Sequence, residues 1–142
     1  MKIRLLMLGK TRRPELRALL DDYTKRISGH TSIEIMEIRD ESAALKRLDA
    51  DRAAAVVLLD AAGKNLDSNA LAQWLAELRD RGARELIFLC GDAEGFSDSL
   101  RQRANQKLSL SAMTFSHELA RVMLAEQLYR AFTILAGSPY PK

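Results

Sequence analysis

Three segments of this chain combine small and polar residues in a way that suits the binding of a ligand. The first is Gly91-Asp92-Ala93-Glu94-Gly95, which directly follows an apolar run. Glycines after a strand let backbone amide and carbonyl groups approach a ligand closely, because no Cβ intervenes. The spacing matches neither the GxGxxG dinucleotide motif nor the GK[ST] phosphate loop. The segment therefore indicates a binding loop without naming the ligand.

The other two segments also follow apolar runs. Residues 59–64 read LDAAGK, in which Gly63 permits a tight turn and Lys64 could meet an anion. A plain connection between a strand and a helix explains this stretch equally well. Residues 108–114 read LSLSAMT, and their small side chains would let the backbone pack closely around a ligand. His117 follows at the start of a helical pattern, where the helix dipole disfavours the protonated imidazole.

Few residues are available for metal or thiol chemistry. The chain has one cysteine, Cys90, and two histidines, His30 and His117. A histidine and cysteine metal site is therefore not expected. A disulfide within one chain is impossible, and a reducing cytoplasm is the compartment that this predicts.

Composition and charge narrow the function classes. The 142 residues, with 47% hydrophobic and 29% charged, predict one soluble domain spanning 1–142, and no run is long enough to cross a membrane. The net charge is only +3. However, residues 1–30 and 99–142 are basic and residues 31–98 are acidic. If the two basic ends meet in space, they would form one face that attracts a phosphate backbone. A solvated helix surface is the alternative.

The elements that must position these segments alternate along the chain. Strands are predicted at Ile3–Leu8, Ile33–Ile38, Ala54–Asp60, Glu85–Gly91 and Leu108–Met113. Helices are predicted at Pro14–Ser28, Glu41–Leu48, Asn69–Arg81, Ser97–Arg103 and His117–Ala136. This alternation is typical of an α/β domain with a mainly parallel five-stranded sheet. Ligands of such sheets bind beyond the carboxyl ends of the strands. The loops after Asp60, Gly91 and Met113 are therefore the candidate site.

One family resembles this chain in detail. The string LSLSAMTFSH at 108–117, together with Arg121, Glu126, Gln127, Tyr129, Arg130 and Ala131, closely resembles the C-terminal segment of the RlmH family of SPOUT-class methyltransferases. The LDAAGK stretch matches the family's LDxxGK. The 91–95 loop resembles the family's GGPEG, with Asp92 and Ala93 in place of Gly and Pro. The family typically ends in Tyr-His and a basic residue, whereas this chain has Tyr140, Pro141 and Lys142.

The resemblance implies a fold, a reaction and partners. It implies a SPOUT-type trefoil-knotted domain, a knot that no sequence pattern would predict alone. It also implies a homodimer, with the final helix near the interface and each site completed from both subunits. The reaction would be transfer of a methyl group from S-adenosylmethionine to N3 of a pseudouridine in 23S rRNA, on the assembled ribosome and without a metal.

The resemblance also assigns residues to the site. Arg130, Tyr140 and Lys142 would orient the RNA or the target base, and His117 is a further catalytic candidate. The cofactor would be bound by Leu58, Gly91, Gly95, Leu108, Ser109, Leu110, Ser111, Ala112 and Met113.

The departures at Asp92 and Pro141 leave alternatives open. Methylation at N3 requires loss of an imide proton, and a positioned base typically contributes ~10²–10⁴-fold, or about 3–5 kcal/mol. If the family histidine is that base, Pro141 cannot replace it. The alternatives are a ribosome-binding or RNA-binding protein of the same fold with impaired catalysis, and a related methyltransferase with another RNA target. A generic nucleotide-binding domain would leave the C-terminal match unexplained.

Overall fold

A computed structural model describes residues 1–92 and 94–140 of the chain. Within them, a five-stranded sheet in the order β2-β1-β4-β3-β5 is parallel throughout. The strands are β1 Lys2–Leu8, β2 Ser32–Ile38, β3 Ala55–Asn65, β4 Glu85–Cys90 and β5 Gln106–Ser109. The helices are α1 Pro14–Ile27, α2 Glu41–Asp49, α3 Ser68–Asp80, α4 Asp98–Arg103 and α5 His117–Ala136. The predicted α/β class and five-stranded sheet are confirmed.

The sheet is covered on both faces because its central strands are apolar at consecutive positions. Side chains of a strand alternate between the two faces. Leu5 and Phe88 thus pack with α1, α3 and α5, whereas Leu6 and Leu89 pack with α2 and α4. Trp74 of α3 is half-buried, and its ring meets that of Phe88 edge-on with centres 6.3 Å apart.

Short polar residues determine where several helices begin. Asp40, Asp67, Ser97 and Ser116 each accept a hydrogen bond from a backbone N–H in the first turn of the helix that follows. Such N-caps typically stabilise a helix by about 1 kcal/mol. Gly137 ends α5 with a φ of +68°, a left-handed conformation that favours glycine.

Two predicted strand limits were wrong. β3 continues past Asp60 to Asn65, with an irregularity between Leu59 and Lys64, and Leu108 pairs with both of these residues. The close passage depends on Gly63, because a Cβ there would lie 2.7 Å from the carbonyl carbon of Lys107. The trefoil knot stays a prediction.

The fifth strand is Gln106–Ser109 rather than Leu108–Met113. It ends early because serine side chains take over the hydrogen bonding of the following backbone. Ser109 Oγ donates to the carbonyl of Ser111 at 2.9 Å, and Ser111 Oγ accepts from the Met113 N–H at 2.9 Å. Residues 110–113 are therefore a loop, which places them at the carboxyl edge of the sheet.

Among the helices of the described ranges, none is long and apolar enough to cross a bilayer.

Candidate functional site

A cavity of about 270 Å³ lies at the carboxyl edge of the sheet. It is bounded by the loops after β4 and β5, by the irregular part of β3 and by the start of α5. Its lining includes Leu59, Asp60, Gly91, Gly95, Leu110, Ser111, Met113, Phe115 and His117. Three sequence segments that are distant along the chain therefore meet where ligands of parallel sheets bind.

The loop of residues 91–95 forms one wall of this cavity and is shaped by its glycines. Gly95 has a φ of +79°, which other residues rarely adopt. A Cβ at Gly91 would lie 3.2 Å from the ring of Phe96, so a larger residue would displace that ring. The Asp92 Oδ1 atom accepts from the Glu94 N–H at 2.9 Å, which closes a turn. Ala93 lies outside the described residues.

The two carboxylates that line the cavity differ in their partners. Asp60 forms an ion pair with Arg101, which also lines the cavity, and accepts from the Ala62 N–H. Asp92 is exposed and forms no ion pair with any residue in the described ranges. Asp92 is therefore the acidic group there that is available to a cationic ligand. The ion pair of Asp60 and Arg101 had no signal in the sequence beyond a carboxylate at the end of an apolar run.

Some residues assigned to the cofactor by resemblance lie outside this cavity. Leu58 is fully buried in the core, and its neighbour Leu59 lines the cavity instead because side chains alternate along a strand. Leu108 and Ser109 are buried and line a second cavity of about 270 Å³, which shares Leu110 and Phe115 with the first. Ala112 is exposed and lines neither.

His117 and Cys90 are the remaining titratable groups of the first cavity that could take part in chemistry. The Nε2 atom of His117 lies 4.0 Å from Oε2 of Glu118. Burial raises the pKa of the Cys90 thiol to about 12, so this sulfur stays protonated at neutral pH and is a poor nucleophile. Within the described ranges, no group of three or more histidine, cysteine or acidic side chains could hold a metal ion.

Arg130 and Tyr140 lie at a different cavity from His117. That third cavity, of about 470 Å³, is also lined by Ser68 and Gln127, both of which line the second cavity as well. Within one chain, His117 thus lines the first cavity, whereas Arg130 and Tyr140 line the third. The second cavity lies between these two because it shares residues with both. Pro141 and Lys142, on which the prediction for the tail also rests, fall outside the described residues.

Glu126 connects the two predicted catalytic residues of the third cavity. Its Oε2 atom accepts from the Tyr140 hydroxyl at 2.9 Å and lies 2.8 Å from Nη2 of Arg130. The Arg130 guanidinium lies 4.8 Å from the centre of the Tyr140 ring. Burial raises the pKa of Tyr140, and the hydrogen bond to Glu126 raises the pKa of Arg130. Glu126 was part of the matching string but was assigned no role.

Comparisons with known proteins agree with this architecture. A family described as "Predicted SPOUT methyltransferase" matches residues 1–141. The chain therefore belongs to the SPOUT methyltransferase family, and the resemblance found in the sequence is confirmed.

Individual relatives that are similar over nearly the whole chain carry a more specific name than the family does. The "Ribosomal RNA large subunit methyltransferase H" of Geotalea daltonii is 43% identical over 99% of both chains, and that of Koribacter versatilis is 43% identical over 99% of this chain and 97% of the relative. A solved structure of a probable methylase family protein from Haemophilus influenzae Rd KW20 matches with a TM-score of 0.61 at 12% identity, over 99% of this chain and 72% of that one. This last likeness supports the fold alone.

Proposed function

We propose that this protein transfers a methyl group from S-adenosylmethionine to N3 of a pseudouridine in 23S rRNA of the assembled ribosome. The observation that carries the proposal is that residues of two family-like loops, Gly91, Gly95, Leu110 and Ser111, line one cavity at the carboxyl edge of the sheet. Relatives that match almost end to end are named as methyltransferases of large-subunit ribosomal RNA. The cytoplasm is the compartment that this function requires.

The first two cavities together fit a cofactor of this kind. Each is slightly below the ~300–1,000 Å³ that is usual for small-molecule sites, but they adjoin through Leu110 and Phe115. The backbone of the 110–113 loop would bind the adenine edge, and Asp92 would face the amino-acid end. S-adenosylmethionine supplies an activated methyl group on a sulfonium. Because the buried thiol of Cys90 stays protonated, it would not accept the methyl group as an intermediate carrier. The methyl group would be transferred directly from the sulfonium to the RNA.

A homodimer would bring the two groups of predicted catalytic residues together. Leu119, Met123 and Ile134 are exposed apolar residues of α5, each 36–39% accessible. At ~100° per residue, they fall with Arg130 within about 60° of arc on one face of the helix. Packing this face against a second copy would bury the apolar residues and carry Arg130 to the partner. Arg130 and Tyr140 would then orient the target base over the cofactor cavity.

The identity of the proton acceptor follows from what each residue can do. Proline has no titratable side chain, so Pro141 cannot take the imide proton. His117 lines the cofactor cavity and is the imidazole available there. Glu126 already accepts from Tyr140 and pairs with Arg130, so we assign it to positioning. Orientation of the donor and acceptor supplies ~7–11 kcal/mol in well-aligned reactions, which is more than a base typically adds.

The proposal is tested by transfer of labelled methyl groups to ribosomes that lack the modification. We expect the label in methylpseudouridine, with the nucleoside identified by mass. Binding of S-adenosylmethionine, measured by calorimetry, is the positive control. Cofactor binding with transfer to a different nucleoside would replace the target but keep the enzyme class.

Pro141 favours a second candidate function, an RNA-binding protein of the same fold with impaired catalysis. It predicts salt-dependent binding to ribosomes without methyl transfer. Under this candidate, the variant P141H would gain transfer activity. Methyl transfer by wild type at the same rate as by P141H would exclude this candidate.

A further inference from the structure

The loop between β1 and α1, residues 9–13, carries three exposed cations. These are Lys10, Arg12 and Arg13. Many arginines in the described ranges pair with a carboxylate, as Arg17 does with Glu37. None of the three loop cations has an ion-pair partner there. Their charge is therefore fully available to an anion.

The backbone of this loop is fixed by side chains from two other elements. Oε1 of Glu118, in α5, accepts from the Arg12 N–H at 2.9 Å and from the Arg13 N–H at 3.0 Å. Oε2 of Glu37, in β2, accepts from the Thr11 N–H at 2.6 Å. Hydrogen bonds from the backbone N–H groups lower the pKa of Glu118, so its carboxylate is charged at neutral pH. The loop conformation therefore does not depend on its own cations.

A fully buried arginine completes the support. Arg121 donates to the carbonyl oxygens of Leu8 at 2.7 Å and Gly9 at 3.1 Å, and to Oγ1 of Thr11 at 2.9 Å. A buried guanidinium is costly unless it is paired by hydrogen bonds. Through these hydrogen bonds, Arg121 stabilises the backbone conformation at the end of β1 and in the 9–13 loop.

The same turn of α5 reaches both the loop and the cofactor cavity. His117 and Ala120 line the cavity, while Glu118 and Arg121 hold the loop. In addition, Met7 at the end of β1 is paired with Cys90, which lines the cavity. The backbone that carries the three cations is thus held next to the cavity.

We infer that the 9–13 loop binds the phosphate backbone of the RNA substrate beside the target base. The inference rests on the proposed function and adds a substrate contact to it. Arginine binds phosphate through two parallel N–H donors. Because Glu118, Glu37 and Arg121 already fix the backbone of the loop, little further backbone freedom is lost when the phosphates bind. Arg12 and Arg13 then supply position and affinity, with no reading of base identity.

The test compares two double variants of the full chain. R12A/R13A removes the loop charge, and R81A/R84A is the matched control. Arg81 and Arg84 are also exposed and without an ion pair in the described ranges, but they precede β4 at the opposite edge of the sheet. Ribosome binding is measured by sedimentation at several salt concentrations, and the KM for ribosomes is measured in the methyl-transfer assay.

We expect R12A/R13A to raise the Kd and KM for ribosomes about tenfold or more, with kcat and the affinity for S-adenosylmethionine within twofold of wild type. The slope of log K against log salt should become shallower by about 1–2, because each lost phosphate contact removes ~0.7–0.9. R81A/R84A should leave the slope unchanged, and R12K/R13K should restore most of it because the charge returns.

Equal effects of the two double variants, or an unchanged salt slope, would overturn the inference. So would a loss confined to whole ribosomes and absent with protein-free 23S rRNA, because the partner would then be a ribosomal protein. Failure of the proposed function is separate: wild type would bind ribosomes with the salt slope intact and transfer no methyl group.

Discussion

The hydroxyl of Tyr140 donates a hydrogen bond to Glu126 at 2.9 Å and so fastens the residues after α5 to the side of that helix. The ring of Tyr140 also packs edge-on against Tyr129, with ring centres 4.8 Å apart. The position of Tyr140 is therefore set by its contacts with α5. Because Arg130 pairs with the same carboxylate, Glu126 fixes the two predicted substrate contacts relative to each other.

This relationship predicts the effect of removing one hydroxyl. The variant Y140F should lower the free energy of unfolding by about 1 kcal/mol, since Glu126 keeps its Arg130 partner. Methyl transfer should fall at least tenfold, because the target base loses its orientation. The control is Y23F, since the Tyr23 hydroxyl lies 3.5 Å from that of Tyr140 and makes at most a weak hydrogen bond. Equal transfer by Y140F and wild type would contradict the role of Tyr140.

Asp92 should recognise the ammonium group of the cofactor. The variant D92N keeps the acceptor for the Glu94 N–H but loses the charge. We expect its affinity for S-adenosylmethionine and S-adenosylhomocysteine to fall several-fold, with no change for methylthioadenosine, which lacks the amino-acid group. Calorimetry with all three ligands measures this. E94Q, at an exposed neighbour that does not line the cavity, is the control. An equal loss for all three ligands would point to a distorted loop instead.

Gly63 should tolerate no side chain. In G63A the new Cβ would lie 2.7–2.8 Å from backbone atoms of Lys107 and Leu108, so β3 and β5 would have to separate. We expect a loss of about 1–3 kcal/mol in the free energy of unfolding, measured with urea. In the control variant G29A the nearest atom is 3.4 Å away, and the change should stay within about 0.5 kcal/mol. Similar losses in both variants would contradict the role of the close passage at Gly63, because the loss of unfolded-chain entropy on changing glycine to alanine by itself stabilises the folded protein.

Glu118 should make stability depend on pH. Hydrogen bonds from the Arg13 and Arg12 N–H groups lower its pKa below 4.5 in the folded protein. Its stabilisation is then fully present above the unfolded pKa and is lost as the pH falls through the lower folded value. Urea unfolding should therefore show wild type losing its advantage over E118Q as the pH is lowered below about 4.5. A constant difference between the two proteins from pH 7 to pH 3 would contradict the assignment.

The exposed apolar face of α5 should hold two copies of the chain together. The variant L119E places a charge in that face and should convert a dimer to a monomer in sedimentation velocity. The control is L19E on α1, at a leucine that is 45% exposed but lies on a different helix. If wild type sediments as a monomer, Arg130 and Tyr140 cannot reach a partner's cavity in this way.

The sequence predicted the order of the elements because each follows from local patterns. Consecutive apolar residues at 86–90 indicate a strand covered on both faces, and the spacing of Leu71, Trp74, Leu75 and Leu78 indicates an amphipathic helix. The loop segments that reach the cavity followed from the rule for parallel sheets. In these cases, periodicity and the position of loops carried enough information.

Longer-range features were beyond such patterns. The extension of β3 depends on Gly63 lying against Lys107, a contact across more than 40 residues. The early end of β5 depends on hydroxyl groups that compete with the strand ladder, and a propensity argument ignores this competition. The burial of Arg121 was unexpected, because arginine is almost never fully buried unless it is paired. Its partners are the carbonyl oxygens of Leu8 and Gly9 and the hydroxyl of Thr11, more than 100 residues away along the chain.

The support of the 9–13 loop also sets an order of events during protein synthesis. The loop leaves the ribosome more than 100 residues before Glu118 and Arg121, which hold its backbone. Until α5 has emerged and docked, a nascent chain therefore carries its first cations on a segment that lacks the contacts to Glu118 and Arg121. The basic surface beside the cavity is therefore complete only after α5 has docked. A nascent chain that lacks this helix would not hold the loop cations in the arrangement that we infer to bind RNA.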